Sequence, residues 1–416
     1  MDHFAYRNSE LCCERVSLRA LAAHVGTPAY VYSKAALLES YRAYDGAFAE
    51  VPHVVCYSIK ANANLGVLGT LARAGAGADI VSGGELFRAL RAGFPPSKII
   101  FDGVGKTRDE LREALKAEIL MFNVESRSEL RALDEVAREM GVRAPVALRV
   151  NPDVDPQTHQ YIATGLKTSK FGIPIAQALE AYEEAASREG VQVMGVDMHI
   201  GSQLTKASPF ADALARLAAL VKALRERGTE VRMVDVGGGL GIRYREETPP
   251  THREYAMVLL PALRELGVTV LLEPGRSIVG NAGILLTRVL YRKDTGDKRF
   301  VVVDAAMNDL IRPALYDSYH EIRPVDAARL GDPMESVDVV GPVCESGDFL
   351  AKDRELAAAE EGDLLAVMSA GAYGFVMSSN YNTRPRAVEV LVDGDRYTIV
   401  RRRETYEDLV AGETTL

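Results

Sequence analysis

VMGVDMHIGSQLTKASPFADALARLAALVKALRERGTEVRMVDVGGG, residues 193–239, reads as a strand, a long amphipathic helix and a second strand. Two strand runs joined by a helix-length crossover make one unit of a parallel sheet. The same alternation extends outward in both directions. VVCYS (54–58), ADIV (78–81), KIIF (98–101), EILMF (118–122) and PVALRV (145–150) come before VMGVDMHI (193–200). RMVDV (232–236) and TVLLE (269–273) complete the series. Stretches such as GELFRALRAG, RSELRALDEVAREMG and IAQALEAYEEAASREG fill the intervals as helices. Eight parallel strands with intervening helices is the count of a (β/α)8 barrel. KAALLESYRAYDGAFAE (34–50) predicts a further helix entering before the first strand.

After residue 283 the texture changes. GILLTRVLYRK, RFVVVDAA, SVDVVGP, DLLAVMSAG and AVEVLVDGDRYTIVRRR are strand-like runs joined by Gly/Asp turns, with DGD as a hairpin signal. The expected fold is therefore α/β: a (β/α)8 barrel over 34–282, then a C-terminal all-β domain over 283–416. Residues 1–33 are expected to form an N-terminal segment packing with the β domain.

Composition narrows the function classes. Among 416 residues, 49 are Lys or Arg and 58 Asp or Glu, a net charge of −9. That acidic surplus argues against nucleic acid as a partner, which would need a basic face. Hydrophobic residues at 47% and charged ones at 26% exclude wholesale disorder. Cys12, Cys13, Cys56 and Cys344 are too few and scattered for a disulfide framework, and no C-x-x-C pair suggests a metal site. The N-terminus has charges throughout and no apolar signal segment. The longest uncharged run, Leu364 to Thr383, is too rich in Gly, Ser and Asn to enter a bilayer. A soluble, cytoplasmic protein without a membrane partner is expected.

In a parallel barrel, functional groups collect where the strands end at their C-terminal side. Lys60 in YSIKANAN follows the first strand, and Asp79 lies in the second. Arg149 and Asn151 close the fifth, His199 and Ser202 the sixth, and Gly237, Gly238 and Gly239 the seventh. Glu273, Gly275 and Arg276 close the eighth. Taken singly, each has a bland reading: a solvated lysine, a structural histidine, turn glycines, a Glu273–Arg276 ion pair. Taken together, a lysine amine, a backbone nest for a phosphate and a carboxylate describe a pyridoxal phosphate site. The amine joins the cofactor aldehyde, and the carboxylate keeps the pyridine nitrogen protonated so that the ring accepts electrons.

YSIKANAN, HIGSQ, GGGLGI and EPGR together resemble the motifs of the diaminopimelate decarboxylases, within the alanine-racemase-like (fold type III) pyridoxal phosphate enzymes. The resemblance runs over essentially the whole chain. It implies that Lys60 holds pyridoxal 5'-phosphate, with Asp79 in the cofactor-binding set, and that His199 stacks on the ring and takes part in catalysis. It further implies Ser202, Gly238 and Gly239 at the phosphate, and Glu273 at the pyridine nitrogen with Gly275 and Arg276 nearby. These motifs are shared with ornithine and arginine decarboxylases, so they specify cofactor and fold rather than substrate. NPDVDPQTHQYIATGLKTSKFGI (151–173) and DLIRPALYDSYH (309–320) resemble segments typical of the diaminopimelate enzymes. The second makes Arg312 and Tyr316 substrate residues. CESGDFL (344–350) supplies Cys344 and Glu345, and AGAYGF (370–375) supplies Tyr373, for cofactor and substrate. The implied reaction turns meso-2,6-diaminoheptanedioate into L-lysine and carbon dioxide, the last step of lysine biosynthesis. Cys344 is the candidate proton donor and Lys60 the runner-up. The implied assembly is a homodimer whose CESGD loop reaches into the partner's active site.

The substrate's chemistry agrees. Diaminopimelate carries an amino acid head at each end, so its site needs a cation for the distal carboxylate and an anion for the distal ammonium. Arg276 and Arg312 offer fork-shaped donors, and Glu345 the counter-charge. A decarboxylase of another substrate, such as ornithine, arginine or a carboxylated polyamine, is the alternative enzyme reading, and Arg312 with Tyr316 speaks against it. A non-catalytic pyridoxal phosphate carrier is the alternative from another class. It would have no use for Cys344, Glu345 and Tyr373.

Overall fold

The computed structural model describes residues 3–154 and 170–416. The chain divides into two compact units: Leu38–Ile242 with Glu247–Ile278, and Met1–Leu37 with Arg243–Glu246 and Val279–Leu416.

The first unit is a closed parallel barrel. Its strands are β1 (His53–Ser58), β2 (Gly77–Ile80), β3 (Ile99–Phe101), β4 (Met121–Val124), β5 (Ala144–Asn151), β6 (Val191–Asp197), β7 (Met233–Asp235) and β8 (Thr269–Leu272). Each pairs in parallel with the next, and β8 pairs with β1 through Val270↔His53, so no barrel edge is left open. Cys56, Ile100, Met121, Ala147 and Leu271 fill part of the interior with apolar side chains. Toward the C-terminal ends the inward positions turn polar: register sets Ser58 beside Asp79, and Asp197 between Arg149 and Asp235. Local chemistry starts the helices. Thr107 with Glu110, and Thr251 with Glu254, form reciprocal capping boxes that satisfy orphan N–H groups of Arg108–Lys116 and His252–Leu266.

The fourth strand begins at Met121, three residues later than EILMF suggests. The preceding helix ends at Lys116, and Glu118 turns the chain through the left-handed region at φ 55°. Its apolar neighbour Ile119 caps that turn before the strand starts, with its N–H bonded back to Ala114.

The second unit is built on a nine-stranded sheet whose centre pairs Gly283–Asp294 antiparallel to Ala29–Ser33, which in turn pairs parallel to Val388–Asp393. AYVYS is buried at all five positions, as a central strand must be. Its partners lie about 250 or more residues downstream, so nothing local marks it as a strand. Val388–Asp393 and Arg396–Arg401 form the hairpin that DGD predicts, with Gly394 at φ 67°. Phe349–Ala357 is a strand the periodicity does not reveal, because it lies at the sheet edge, where charges such as Lys352, Asp353 and Arg354 are tolerated. Among the described residues, no helix is long and apolar enough to cross a membrane.

Candidate active site

The barrel's C-terminal rim assembles the residues that the sequence singles out there. β1 runs into a short turn, Ile59–Ala61, which carries Lys60. Its Nζ lies 2.7 Å from Oδ2 of Asp79, at the end of β2. The Ser58 hydroxyl donates to the same oxygen. Asp79 is wholly buried, and burial pushes its carboxyl up to about 6 while Lys60 pulls it down. The lysine itself is 35% exposed, so the amine faces the open rim with a carboxyl behind it.

His199 follows β6. Gly238 donates its N–H to Nδ1 at 3.1 Å, so Nδ1 offers the lone pair and Nε2 carries the proton. Burial, reinforced by Arg149 and Lys60, holds the imidazole well below its usual range, so it is neutral near pH 7. Arg276 donates from Nη2 to Ser202 Oγ at 3.0 Å, tying the loop after β8 to the loop after β6. The glycines between them are required by close approach. A Cβ on Gly238 would meet the Glu273 carbonyl oxygen at 2.1 Å, and one on Gly239 would meet the Gly201 carbonyl at 2.3 Å. Gly239 also sits at φ 106°, where a side chain is strained. A Cβ on Gly275 would press on Ser58 and Ala61 at 2.9 and 3.0 Å. The cradle therefore exists because these positions lack side chains. Gly238 uses its own N–H on His199 and contributes by shape.

Three site residues escaped the sequence reading: Asp102 after β3, Asp197 in β6 and Asp235 in β7. With Asp79 and Glu273 they make a bed of five buried carboxyls. Oxygens of Asp79, Asp102 and Glu273 lie within 4.8 Å of one another, as do those of Asp197, Asp235 and Glu273. Like charges so close cannot all ionise. Burial, then Asp102, Asp235, Asp79 and Asp197, push Glu273 well above the carboxylate range. Burial and Asp102 raise Asp235 to about 7, against hydrogen bonds from Gly237 and Asn123. Asp102 goes the other way: burial opposes it, yet hydrogen bonds from the Glu273 and Asp79 carboxyls hold it low, so it is the ionised member. Among the described residues, no N–H or hydroxyl reaches either of its oxygens. Arg149 stays charged: burial is the largest single influence against it, but Glu125, at 2.7 Å, together with Asp197, Asp102 and Glu273, outweighs that cost. The one available signal was the recurrence of Asp at strand ends, in ADIV, IIFD, GVD and MVD.

Such a bed attracts a cation, and Glu273 Oε1 is buried without a hydrogen-bond partner among the described residues. A protonated pyridine nitrogen supplies both the N–H and the charge. Lys60, the glycine cradle and the Ser202–Arg276 pair then match the aldehyde and phosphate ends. The residues present fit pyridoxal phosphate.

The second unit places the remaining residues in three groups. Arg312 is buried, with its guanidinium carbon 5.2 Å from the Tyr244 ring centre and 5.8 Å from that of Tyr316. Cys344 and Glu345 are exposed on one loop. Asp348 pins that loop by accepting from the N–H groups of Val343 and Met307, both at 2.7 Å, and Asn382 accepts from Cys344 N–H at 2.7 Å. Tyr373 sits in the left-handed region at φ 55°, between Gly371 and Gly374, whose added Cβ atoms would clash with carbonyl oxygens at 1.9 and 2.5 Å. The segment 151–173 lies for the most part outside the described residues, which omit 155–169.

Residues 34–280 match the family model of the pyridoxal-dependent decarboxylases, pyridoxal binding domain. The chain is 58% identical to the diaminopimelate decarboxylase of Pseudomonas aeruginosa, over the full length of both. It is 53% identical to that of Vibrio cholerae, again over the full length of both. A crystal structure of diaminopimelate decarboxylase from M. jannaschii in co-complex with L-lysine superposes with a TM-score of 0.95 at 40% identity, covering 100% of this chain and 98% of the other. Full-length likeness at this level, on a barrel whose rim fits the same cofactor, places the chain in the pyridoxal-dependent decarboxylase family, among the diaminopimelate decarboxylases.

Proposed function

We infer that this chain is a pyridoxal phosphate-dependent carboxy-lyase that converts meso-2,6-diaminoheptanedioate to L-lysine and carbon dioxide. The observation that carries the reading is the buried Glu273 Oε1, without a hydrogen-bond partner among the described residues, over a carboxyl bed, with Lys60 Nζ and the glycine cradle on the same rim. When bound, the cofactor supplies an electron sink for the pair released as carbon dioxide leaves.

The chain's own residues do the rest. Lys60 would hold the cofactor through its aldehyde, with its amine on the open rim where the substrate amine arrives. Glu273 keeps a proton at the pyridine nitrogen, and the acidic bed favours positive charge there. Neutral His199, fixed in its tautomer by Gly238, would pack against the cofactor ring. Ser202, Gly239 and Arg276 hold the phosphate, with Gly238 and Gly275 leaving room for it. Arg312 and Tyr316, with Arg276, hold the distal carboxylate, Glu345 takes the distal ammonium, and Tyr373 positions cofactor and substrate. Cys344 returns the proton to the carbon that lost its carboxylate, with Lys60 the alternative donor.

The finer assembly belongs to the same reading: a homodimer in which Cys344 and Glu345 of one copy serve the barrel of the other. Their exposure on a loop held rigid from within supports this. We place the enzyme in the reducing cytoplasm, in keeping with four free cysteines.

Arg312→Ala tests the substrate assignment. Cofactor binding stays intact, while kcat/KM for diaminopimelate falls by about 2–5 kcal/mol in transition-state terms, as expected for a desolvated charge pair. Equal activity in variant and parent would put the carboxylate grip elsewhere. Faster turnover of ornithine or arginine than of diaminopimelate by the parent would replace the substrate.

A further inference from the structure

A grip on a carboxylate requires a guanidinium held in one orientation, and the chain around Arg312 provides a fixed reference for it. Arg312 opens the short helix Arg312–Tyr316, which Asp317 ends in the left-handed region at φ 52°, reversing the chain. The reversal brings two later side chains back to the arginine. Nη2 donates to Ser318 Oγ at 3.3 Å, and Nε donates to His320 Nε2, also at 3.3 Å.

His320 is fully buried. Its Nδ1 lies 2.9 Å from the carbonyl oxygen of Met368. A carbonyl only accepts, so Nδ1 carries the proton and Nε2 keeps the lone pair that Arg312 uses. The imidazole thus links the backbone just past the strand Leu364–Val367 to the guanidinium. Its own backbone is pinned, because Arg354 donates from Nη1 to the His320 carbonyl at 2.6 Å. Tyr244 packs edge-on to the imidazole, at 5.4 Å and 81°. The same tyrosine ring lies beside the Arg312 guanidinium.

We propose that His320 is a positioning residue for substrate recognition: it fixes the plane and direction of the Arg312 guanidinium and thereby sets the affinity for a substrate carrying a distal carboxylate. The inference rests on the reading of Arg312 given above. A histidine is suited to the task because its second nitrogen is locked by the backbone, which a flexible acceptor would lack.

L-Lysine and cadaverine differ by one carboxylate, so the ratio of their inhibition constants on the cofactor-loaded enzyme reads the grip directly. His320→Asn keeps a donor for Met368 but is too short to reach Arg312. His320→Gln keeps an acceptor within reach of it. In His320→Asn the preference for lysine falls roughly tenfold and KM for diaminopimelate rises by a similar factor, with kcat within about threefold of the parent. His320→Gln retains most of the preference. A merely structural role would weaken both ligands alike and spare the ratio. If His320→Asn does not fold, His320→Met, apolar and of the same length as glutamine, carries the same comparison. Retention of the preference in these variants, alongside its loss in Arg312→Ala, overturns the proposal. Retention in Arg312→Ala itself means that the assignment of Arg312 has failed first, and the role of His320 falls with it.

Discussion

Lys60→Ala abolishes turnover, with a loss on the order of 10^4-fold or more, because it removes the amine that anchors the cofactor. The fold survives the change. Lys60 is only half-buried, in a three-residue turn, and the helix that follows is capped independently by Asn64, whose side chain accepts from Gly66 N–H at 2.7 Å. Asp79 loses the cation 2.7 Å away and becomes still harder to ionise. The parent protein is yellow when loaded, and borohydride fixes the cofactor to it covalently. A modified Lys60 resists trypsin, so the adduct appears on a peptide spanning residues 43–73, between Arg42 and Arg73. Circular dichroism shows the variant folded, colourless after borohydride and dialysis, and inactive. An adduct on any other lysine removes the foundation of the site.

The second large effect is a recovery. Lys60→Ala and Cys344→Ala are each inactive, one for want of the cofactor anchor, the other for want of the proton donor. Mixed and allowed to exchange subunits, they regain activity if sites are shared. A mixed dimer pairs one site carrying both substitutions with one site carrying neither. Statistical exchange makes half the dimers mixed, each with one good site of two, so recovery approaches about a quarter of parental activity. The loop's geometry permits such sharing: Asp348 and Asn382 fix its backbone while Cys344 and Glu345 stay exposed. A mixture that stays inactive after demonstrated exchange shows that each chain uses its own Cys344.

The barrel was legible because parallel strands buried on both faces appear as β-branched runs, and Lys60, His199, Glu273 and the glycines fall where such strands end. What lay hidden depends on pairing. Asp102, Asp197 and Asp235 look like ordinary strand-ending acids until register sets Asp197 against Asp235 and the barrel closes around Glu273. Ala29–Ser33 reads only as part of an N-terminal segment packing with the β domain, not as a central strand, because both its partners are distant. Arg312 is singled out by its motif, whereas His320, eight residues on, is drawn to it only by the reversal at Asp317 and the carbonyl of Met368. Each of these signals is a contact across the chain, which local periodicity does not carry.

The central claim is tested most directly by incubating the purified, cofactor-loaded protein with meso-diaminopimelate labelled in its carboxyl groups. The account predicts labelled carbon dioxide from the D-configured end only, with one L-lysine formed for each molecule released and the L-end carboxylate retained in the product. No carbon dioxide from diaminopimelate, or its release from ornithine or arginine instead, would contradict it.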